Sequence, residues 1–157
     1  YTSGMINTGE SFRQKYGIFK AKIKASESPS VSNVFWLLAD QMLPQIDIFN
    51  YNLHKKGKIT ANHYWLEQTG DNKKVKKHIK KVPDIKANKK YYIYSLEWTP
   101  KEMIWKINGV AVKKERKGIP DVPMYLNISS GIAHKINENS LPGILEVDWV
   151  KCYQKKE

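Results

Sequence analysis

Residues 19–25 read Phe-Lys-Ala-Lys-Ile-Lys-Ala. This alternation of apolar and lysine side chains is the strongest indication of the fold in the sequence. Successive side chains of a β-strand point to opposite faces. The pattern therefore predicts a strand with one buried face and one face in water. No amphipathic helix stands out anywhere else in the chain, so strands are expected to dominate.

Further strand patterns lie on both sides of this stretch. The apolar run 33–38 predicts a strand buried on both faces, and residues 46–51 predict another. Asn108-Gly109 lies between two short apolar runs, which is the strongest short-range signal for a β-hairpin. The remaining predicted strands are 91–98, 103–107, 110–112, 125–129 and 145–153. Many short strands with Gly and Pro between them predict an all-β sandwich or barrel.

Length and composition favour one folded domain over residues 1–157. The chain is 41% hydrophobic, which is enough for a core. No stretch approaches the ~20 apolar residues of a membrane span. Cys152 is the single cysteine, so a disulfide within the chain is impossible, and its strand-like flanks predict a packed thiol.

The net charge of +12 predicts attraction to polyanions. No nucleic-acid-binding motif or basic helix accompanies it. A sulfated or uronic polysaccharide and a merely solubilising surface both remain open. Six lysines fall within residues 73–81, and we expect this run to be exposed and mobile, as a loop or an edge strand. The surrounding residues 55–87 are interpreted as long loops with one or two short strands around 63–65.

Five segments, in chain order, resemble glycoside hydrolase family 16. They are "YTSG-x-I" at 1–6, "YGIFKAKIK" at 16–24, "FWLL" at 35–38, "LEWTP" through "NG" at 96–109, and "VDWVKCYQ" at 147–154. The resemblance implies a two-sheet antiparallel β-sandwich, a jelly roll of the concanavalin A-like type. That family has strands before "YTSG", so the resemblance also implies that this single domain lacks its N-terminal strands. Three explanations remain open: the sequence is a fragment, the chain has been cut, or the missing strands come from an unknown partner.

The family's active strand reads E-x-D-x-E, or E-x-D-x-x-E where the strand is bulged, and residues 45–50 here read Gln-Ile-Asp-Ile-Phe-Asn. Gln45 and Asp47 share a face by the period of two. A bulge would bring Asn50 to that face, whereas an unbulged strand would bring Phe49. We favour the bulge, because the family often follows its last glutamate with tyrosine, as Tyr51 follows Asn50.

By this resemblance, Gln45 occupies the nucleophile position, Asp47 an assisting position and Asn50 the acid/base position. Retaining glycosidases need two carboxyl groups about 5–5.5 Å apart. An amide neither attacks the anomeric carbon nor donates an acidic proton. We therefore expect a catalytically impaired domain that binds a β-linked polysaccharide, either of the β-1,3-glucan type or a sulfated galactan. Two alternatives remain open: an active retaining endo-β-glycosidase that uses Asp47 or other groups, and a structural remnant.

The resemblance also suggests ligand contacts outside the active strand. Trp36, Tyr64, Trp65 and Asn127 are candidates for sugar binding, with Tyr64 and Trp65 expected to form one stacking platform on loops over the sugar cleft. Asp148 matches a position that binds a structural calcium in some members, and no other cofactor is expected. The family's usual locations are extracellular, periplasmic or at the cell surface. No metal-binding spacing is found among the four histidines, which are His54, His63, His78 and His134.

Overall fold

The computed structural model describes residues 1–53, 58–82, 85–132 and 136–154, and these form strands joined by short connections. The strands are β1 (Gly4–Asn7), β2 (Gly17–Lys24), β3 (Val31–Leu38), β4 (Gln45–Asn52), β5 (Lys58–Thr69), β6 (Asn72–Val82), β7 (Tyr92–Trp98), β8 (Met103–Ile107), β9 (Val110–Glu115), β10 (Tyr125–Ile132) and β11 (Glu146–Tyr153). A 3-10 turn covers Glu138–Ser140. The described residues contain no α-helix, and therefore none that could cross a membrane.

The strands form two antiparallel sheets, as the all-β sandwich prediction required. One sheet has the order β1-β10-β3-β4-β5-β6, and the other has the order β11-β2-β7-β8-β9. The core lies between them. Phe19, Ala21 and Ile23 of β2 are fully buried, while the intervening lysines keep partial exposure, so the alternation at 19–25 was interpreted correctly. Phe49 of β4 meets Tyr94 of β7 at a centroid distance of 4.2 Å, which joins the two sheets at their centre.

The predicted hairpin is present between β8 and β9. Ile107 pairs directly with Val110, which leaves Asn108 and Gly109 as the two turn residues. Both have positive φ, 48° and 84°, as the tight turns that match the strand twist require. The short turn keeps β9 at the edge of the second sheet, where its Lys113 reaches toward β5 and β6.

The expectation of long loops over residues 55–87 was wrong. Apart from residues 54–57 and 83–84, which lie outside the described residues, the stretch is mainly one hairpin of two long strands, β5 and β6. The apolar side of β5 carries His63 among smaller apolar residues, and β6 carries lysines on both faces, so neither strand shows a clear alternation. Cross-strand pairing, which sequence alone does not display, stabilises both strands.

The basic run 73–81 lies in β6, the edge strand of the six-stranded sheet. Its side chains are exposed apart from the half-buried Lys76, which confirms the predicted exposure. Lysine on an edge strand also discourages pairing with a further strand from another molecule. The predicted mobility of this run stays a prediction.

An apolar groove of about 1110 Å³ lies between β1 with β10 on one side and the segment leading into β11 on the other. Met5, Ile6 and Ile144 line it and remain largely exposed. The second sheet ends at β11 and therefore leaves the inner side of β1 uncovered. The expectation of missing N-terminal strands stays a prediction.

Two titratable side chains lie between the sheets near β5. His63 is fully buried and stacks on Trp65 at 4.6 Å, and within the described residues neither of its ring nitrogens has a hydrogen-bond partner. Lys113 donates to the carbonyl oxygens of Ala61 and His78 at 3.3 and 2.9 Å. Burial, and then the charge of Lys113, lower the pKa of His63 from 6.5 to about 4. Burial also lowers the pKa of Lys113 to about 8.

We predict that His63 makes the fold sensitive to mild acid. Between pH 6.5 and 4 the unfolded histidine binds a proton that the folded one does not, so stability falls as the pH falls through this window. The loss reaches up to about 3 kcal/mol. The variant His63→Leu should lose much less stability across the same window in urea unfolding at several pH values. The exposed-site variant His78→Gln is the control, and equal pH dependence in His63→Leu and the parent protein would contradict the prediction.

Candidate functional site

The site is organised by a β-bulge in β4. Along β3, Phe35 pairs with Phe49 and the next residue, Trp36, pairs with Asp47, so Ile48 is the extra residue. Pairing with β5 shifts over the same stretch, between Asp47 and Asn50. The bulge buries Phe49 completely in the core. The register that we favoured from the sequence is the one observed, and Phe49 does not join the site.

Because of the bulge, Gln45 and Asn50 flank the carboxylate of Asp47. Gln45 Nε2 donates to Asp47 Oδ1 at 2.7 Å, and Asn50 Nδ2 donates to Oδ2 at 2.9 Å. Asn62 Nδ2 of β5 donates to the same Oδ2 at 2.7 Å. We call the side of the six-stranded sheet that carries these residues the site face. Ile46 and Ile48 are buried in the core, as expected.

Asp47 is a buried carboxylate that is held by amides, and no Lys, Arg or His side chain of the described residues forms an ion pair with it. It is only 1% exposed, and burying a carboxylate is costly unless hydrogen bonds satisfy it. Three amide donors supply those bonds, and hydrogen bonds to an ionised acceptor are stronger than neutral ones. Trp105 of the opposite sheet donates Nε1 to the backbone oxygen of Asp47 at 2.9 Å, which fixes this point of β4 against the core.

A row of residues crosses the site face at the level of Asp47. In order across the sheet, the directly paired residues are Asn127, Trp36, Asp47, Asn62 and Ile79. Directly paired residues of neighbouring strands share a face. The resemblance-based candidates Trp36 and Asn127 therefore belong to the same surface as the active-strand residues.

Trp36 and Asn127 differ in how accessible their side chains are to a ligand. Trp36 is half-buried, and its Nε1 donates to Ser129 Oγ at 3.2 Å, which fixes the ring against β10. Asn127 is 1% exposed, and its Nδ2 donates at 3.5 Å to the carbonyl oxygen of Tyr125. A ring at the surface of the site face suits stacking on a sugar, whereas the amide of Asn127 lies beneath the surface and supports its neighbours.

Tyr64 and Trp65 do not lie on loops over a cleft, and the expectation that they form one stacking platform was wrong. Both belong to β5, where consecutive side chains point to opposite faces. Tyr64 pairs with Gln45 and lies on the site face, where burial and then the charge of Asp47 raise its pKa above the usual range. Trp65 lies on the other face, stacked on His63 and packed closely against Gly118.

Asp148 lies far from these residues, at a bulge in β11 between Val147 and Trp149. Its carboxylate accepts from Lys22 Nζ at 2.6 Å, so a cation already neutralises it. The described residues contain no group of three or more His, Cys, Asp or Glu that could hold a metal ion. The calcium position stays a prediction. His54 and His134 lie outside the described residues.

Asn62 and Trp105 are the site residues that the sequence analysis missed. Asn62 would have been found had β5 been recognised as a strand, because Thr60, Asn62 and Tyr64 then alternate with Ile59, Ala61 and His63. Trp105 comes from the other sheet and acts on a backbone oxygen, so no pattern in the sequence indicates it. Together they extend the site beyond the active strand.

The chemistry available at these positions is hydrogen bonding. Amides donate and accept, which suits the hydroxyl groups of a sugar. In the row of directly paired residues that crosses the site face, the only carboxylate is that of Asp47. Both of its oxygens already accept hydrogen bonds from amides. A retaining hydrolase uses one carboxylate as nucleophile and a second carboxyl group as proton donor. The residues described here present one carboxylate where that reaction uses two.

Comparison with known proteins finds a matching family and several similar proteins. The model of the family "Glycosyl hydrolases family 16" matches residues 1–151. An endo-1,3-1,4-beta-glycanase of Rhizobium meliloti is 27% identical over 98% of this chain and 33% of its own length. A beta-glucanase of Fibrobacter succinogenes is 26% identical over 89% of this chain and 44% of its own length. The chain thus spans between a third and a half of the length of these curated relatives.

Solved structures show the same fold at low sequence identity. The kappa-carrageenase of Pseudoalteromonas carrageenovora, solved with an oligotetrasaccharide of kappa-carrageenan, has a TM-score of 0.83 at 16% identity, over 95% of this chain and 67% of that one. LamAcat of Zobellia galactanivorans has a TM-score of 0.84 at 21% identity, over 96% and 68% of the two chains. A jelly roll is therefore the fold of the described residues.

We predict that Asp47→Asn destabilises the protein even though it removes a buried charge. The new amide offers one acceptor oxygen instead of two, so its NH2 group must face at least one of the three amide donors. Leaving buried donors unsatisfied costs about 1–3 kcal/mol. Chemical unfolding should show a loss of this size, against about 0.5 kcal/mol or less for the surface control Asp40→Asn. Equal stability of the two variants would mean that the amides do not depend on the carboxylate.

Proposed function

Because the chain belongs to glycosyl hydrolase family 16, we propose that its site face binds a β-linked polysaccharide without hydrolysing it. The observation that carries the proposal is the Asp47 cluster. The positions on either side of the carboxylate hold Gln45 and Asn50, and both amides are committed to Asp47 by hydrogen bonds of 2.7 and 2.9 Å. The cluster satisfies its own buried charge and presents no free carboxyl pair to a glycosidic bond.

The remaining residues of the site face suit a sugar ligand. Trp36 offers a fixed aromatic ring, and Tyr64 offers a phenol beside Gln45. Aromatic rings and amides are the groups with which proteins hold sugar faces and hydroxyls. Relatives with the same fold are named for their action on β-glucans or kappa-carrageenan, which supports a β-glucan of the laminarin type or a sulfated galactan as ligand.

Two other functions make different predictions. A residual glycosidase that uses Asp47 would release reducing sugar, and a structural remnant would bind no polysaccharide. Asp47 is a poor nucleophile in this setting because it is 1% exposed and three amides hold its oxygens. Binding without turnover separates the proposed function from both alternatives.

We predict no reducing-sugar release from laminarin, lichenan or agarose by the unmodified protein. Hydrolysis of these polysaccharides should need both Gln45→Glu and Asn50→Glu, because a retaining mechanism on an unactivated glycoside needs a nucleophile and a proton donor. On an aryl glycoside with a good leaving group, Gln45→Glu alone should exceed Asn50→Glu alone, since little protonation is needed. Turnover by the unmodified protein that Asp47→Asn abolishes would overturn the proposal.

We predict that polysaccharide binding changes the fluorescence of Trp36 and depends on its ring. Titration with laminarin, agar and carrageenan should show a saturable change for at least one of them. Trp36→Ala should weaken that binding by roughly tenfold, the scale of one lost stacking contact. Trp149→Ala is the matched control, because Trp149 lies on the outer side of the other sheet under Lys151. Equal loss in both variants would place the ligand elsewhere.

A further inference from the structure

The edge strand β6 has two faces of different character, and only one of them adjoins the site. Tyr64 pairs with Lys77, Asn62 with Ile79, and Thr60 with Lys81, so these β6 residues share the site face. By the period of two, the opposite face carries Lys74 and Lys80 together with Lys76 and His78. The sequence run of lysines is thus divided by the strand into two separate rows.

The site-face lysines continue the rows of the Asp47 cluster. Gln45 pairs with Tyr64 and Tyr64 with Lys77, so Lys77 lies two strands from Gln45 at the same level of the sheet. Asn50 is joined to Lys81 in the same way, through Thr60. Lys77 and Lys81 are about 13 Å apart along the strand. A chain lying along β6 beside the cluster would meet both cations.

The charges of the site-face lysines are free to act on a ligand. Among the described residues, neither Lys77 nor Lys81 forms an ion pair. The carboxylates that approach β6 belong to its other face, where Glu67 pairs with Lys76 and Glu115 with His78. Gln45 and Asn50 add no negative charge to the site face, and Asp47, the carboxylate between them, is only 1% exposed.

Apolar side chains alternate with these lysines. Val75 and Ile79 lie on the site face and are 56% and 44% exposed, and Leu66 of β5 is exposed opposite Val75. Exposed apolar groups next to cations suit a ligand that has both hydrophobic faces and anionic substituents. They do not suit a surface whose lysines serve solubility alone.

We propose that the ligand of the site face is an acidic polysaccharide, whose sulfate or carboxylate groups bind Lys77 and Lys81 while its sugar rings lie over Val75 and Ile79. This inference rests on the proposed function, because it assigns the ligand class of the same site. Sulfate esters and uronates share the anionic chemistry that lysine recognises. The lysines act as specificity-determining residues and not as parts of the Asp47 cluster.

A nucleic acid fits this surface less well. Single-stranded nucleic acids are bound by positive grooves combined with aromatic rings on which successive bases stack. Strand β6 contains no Phe, Trp or Tyr, and of the two rings of β5 Tyr64 lies on the site face whereas Trp65 faces away from it, so no row of rings follows the lysines. The apolar groups that interrupt the lysines are aliphatic, which suits the C–H faces of sugars better than bases.

The experiment compares two double variants of equal charge. Lys77→Gln with Lys81→Gln removes the cations of the site face, and Lys74→Gln with Lys80→Gln removes two exposed cations from the other face of the same strand. Kd is measured by isothermal titration at 50 and 200 mM NaCl against kappa-carrageenan, polygalacturonate, laminarin and duplex DNA. Thermal unfolding of each variant checks that the fold is intact.

We expect the acidic polysaccharides to bind more tightly than laminarin, and the site-face variant to lose roughly tenfold in Kd at 50 mM NaCl. The matched variant should lose less than about threefold, and the difference should shrink at 200 mM NaCl because salt screens exposed charges. Stronger binding of carrageenan indicates sulfate as the recognised group, and stronger binding of polygalacturonate indicates carboxylate.

Three results would overturn the inference. If laminarin binds at least as tightly as the acidic polysaccharides, and neither lysine pair affects binding, the proposed function stands but its ligand is not an acidic polysaccharide. Equal losses in the two variants, or tighter binding of DNA, would show attraction by net charge without a site. No binding of any polysaccharide would overturn the proposed function itself.

Discussion

The site depends on one extra residue in β4. Without Ile48 as a bulge, the period of two would bring Phe49 to the site face and turn Asn50 into the core. The bulge instead packs Phe49 against Tyr94, at a distance of 4.2 Å between ring centroids, and places Asn50 beside Asp47. Bulges redirect side chains at functional sites at the expense of local ladder hydrogen bonds. Here the redirected side chain is an amide, and it donates a hydrogen bond to the carboxylate of Asp47.

The amides change what the buried Asp47 does. Three carboxylates this close would repel one another, and the charge of at least one would have to be neutralised by a proton. Gln45 and Asn50 convert that repulsion into hydrogen bonds, and Asn62 adds a third. Asp47 is therefore the acceptor at the centre of a polar cluster. In the proposed function, the same side chains serve both stability and ligand contact.

The sequence predicted those features that a single strand displays by itself. Alternation at 19–25 and the Asn108-Gly109 turn are local, and both were placed correctly. The bulged register of β4 was also correct, but it was favoured from the family resemblance and not from the strand pattern. The hairpin of β5 and β6 was not predicted, because its stability comes from cross-strand pairing. Lysines on both faces of β6 obscure the alternation of apolar and polar residues, and His63 interrupts the apolar face of β5. The platform of Tyr64 and Trp65 failed for the same reason, since a strand separates neighbours that a loop could bring together.

The lysines of β6 have two possible physical roles, and the neighbouring residues distinguish them. An edge strand carries lysine to prevent further pairing, and for that purpose the face on which each lysine lies is immaterial. Edge protection alone would also favour polar residues between the lysines, yet Val75 and Ile79 are exposed there. Both lie on the site face, and Ile79 lies in the same row as Asn62 and Asp47. Exposed aliphatic groups on a strand edge favour association, so their presence beside the site is better explained by a ligand that covers them.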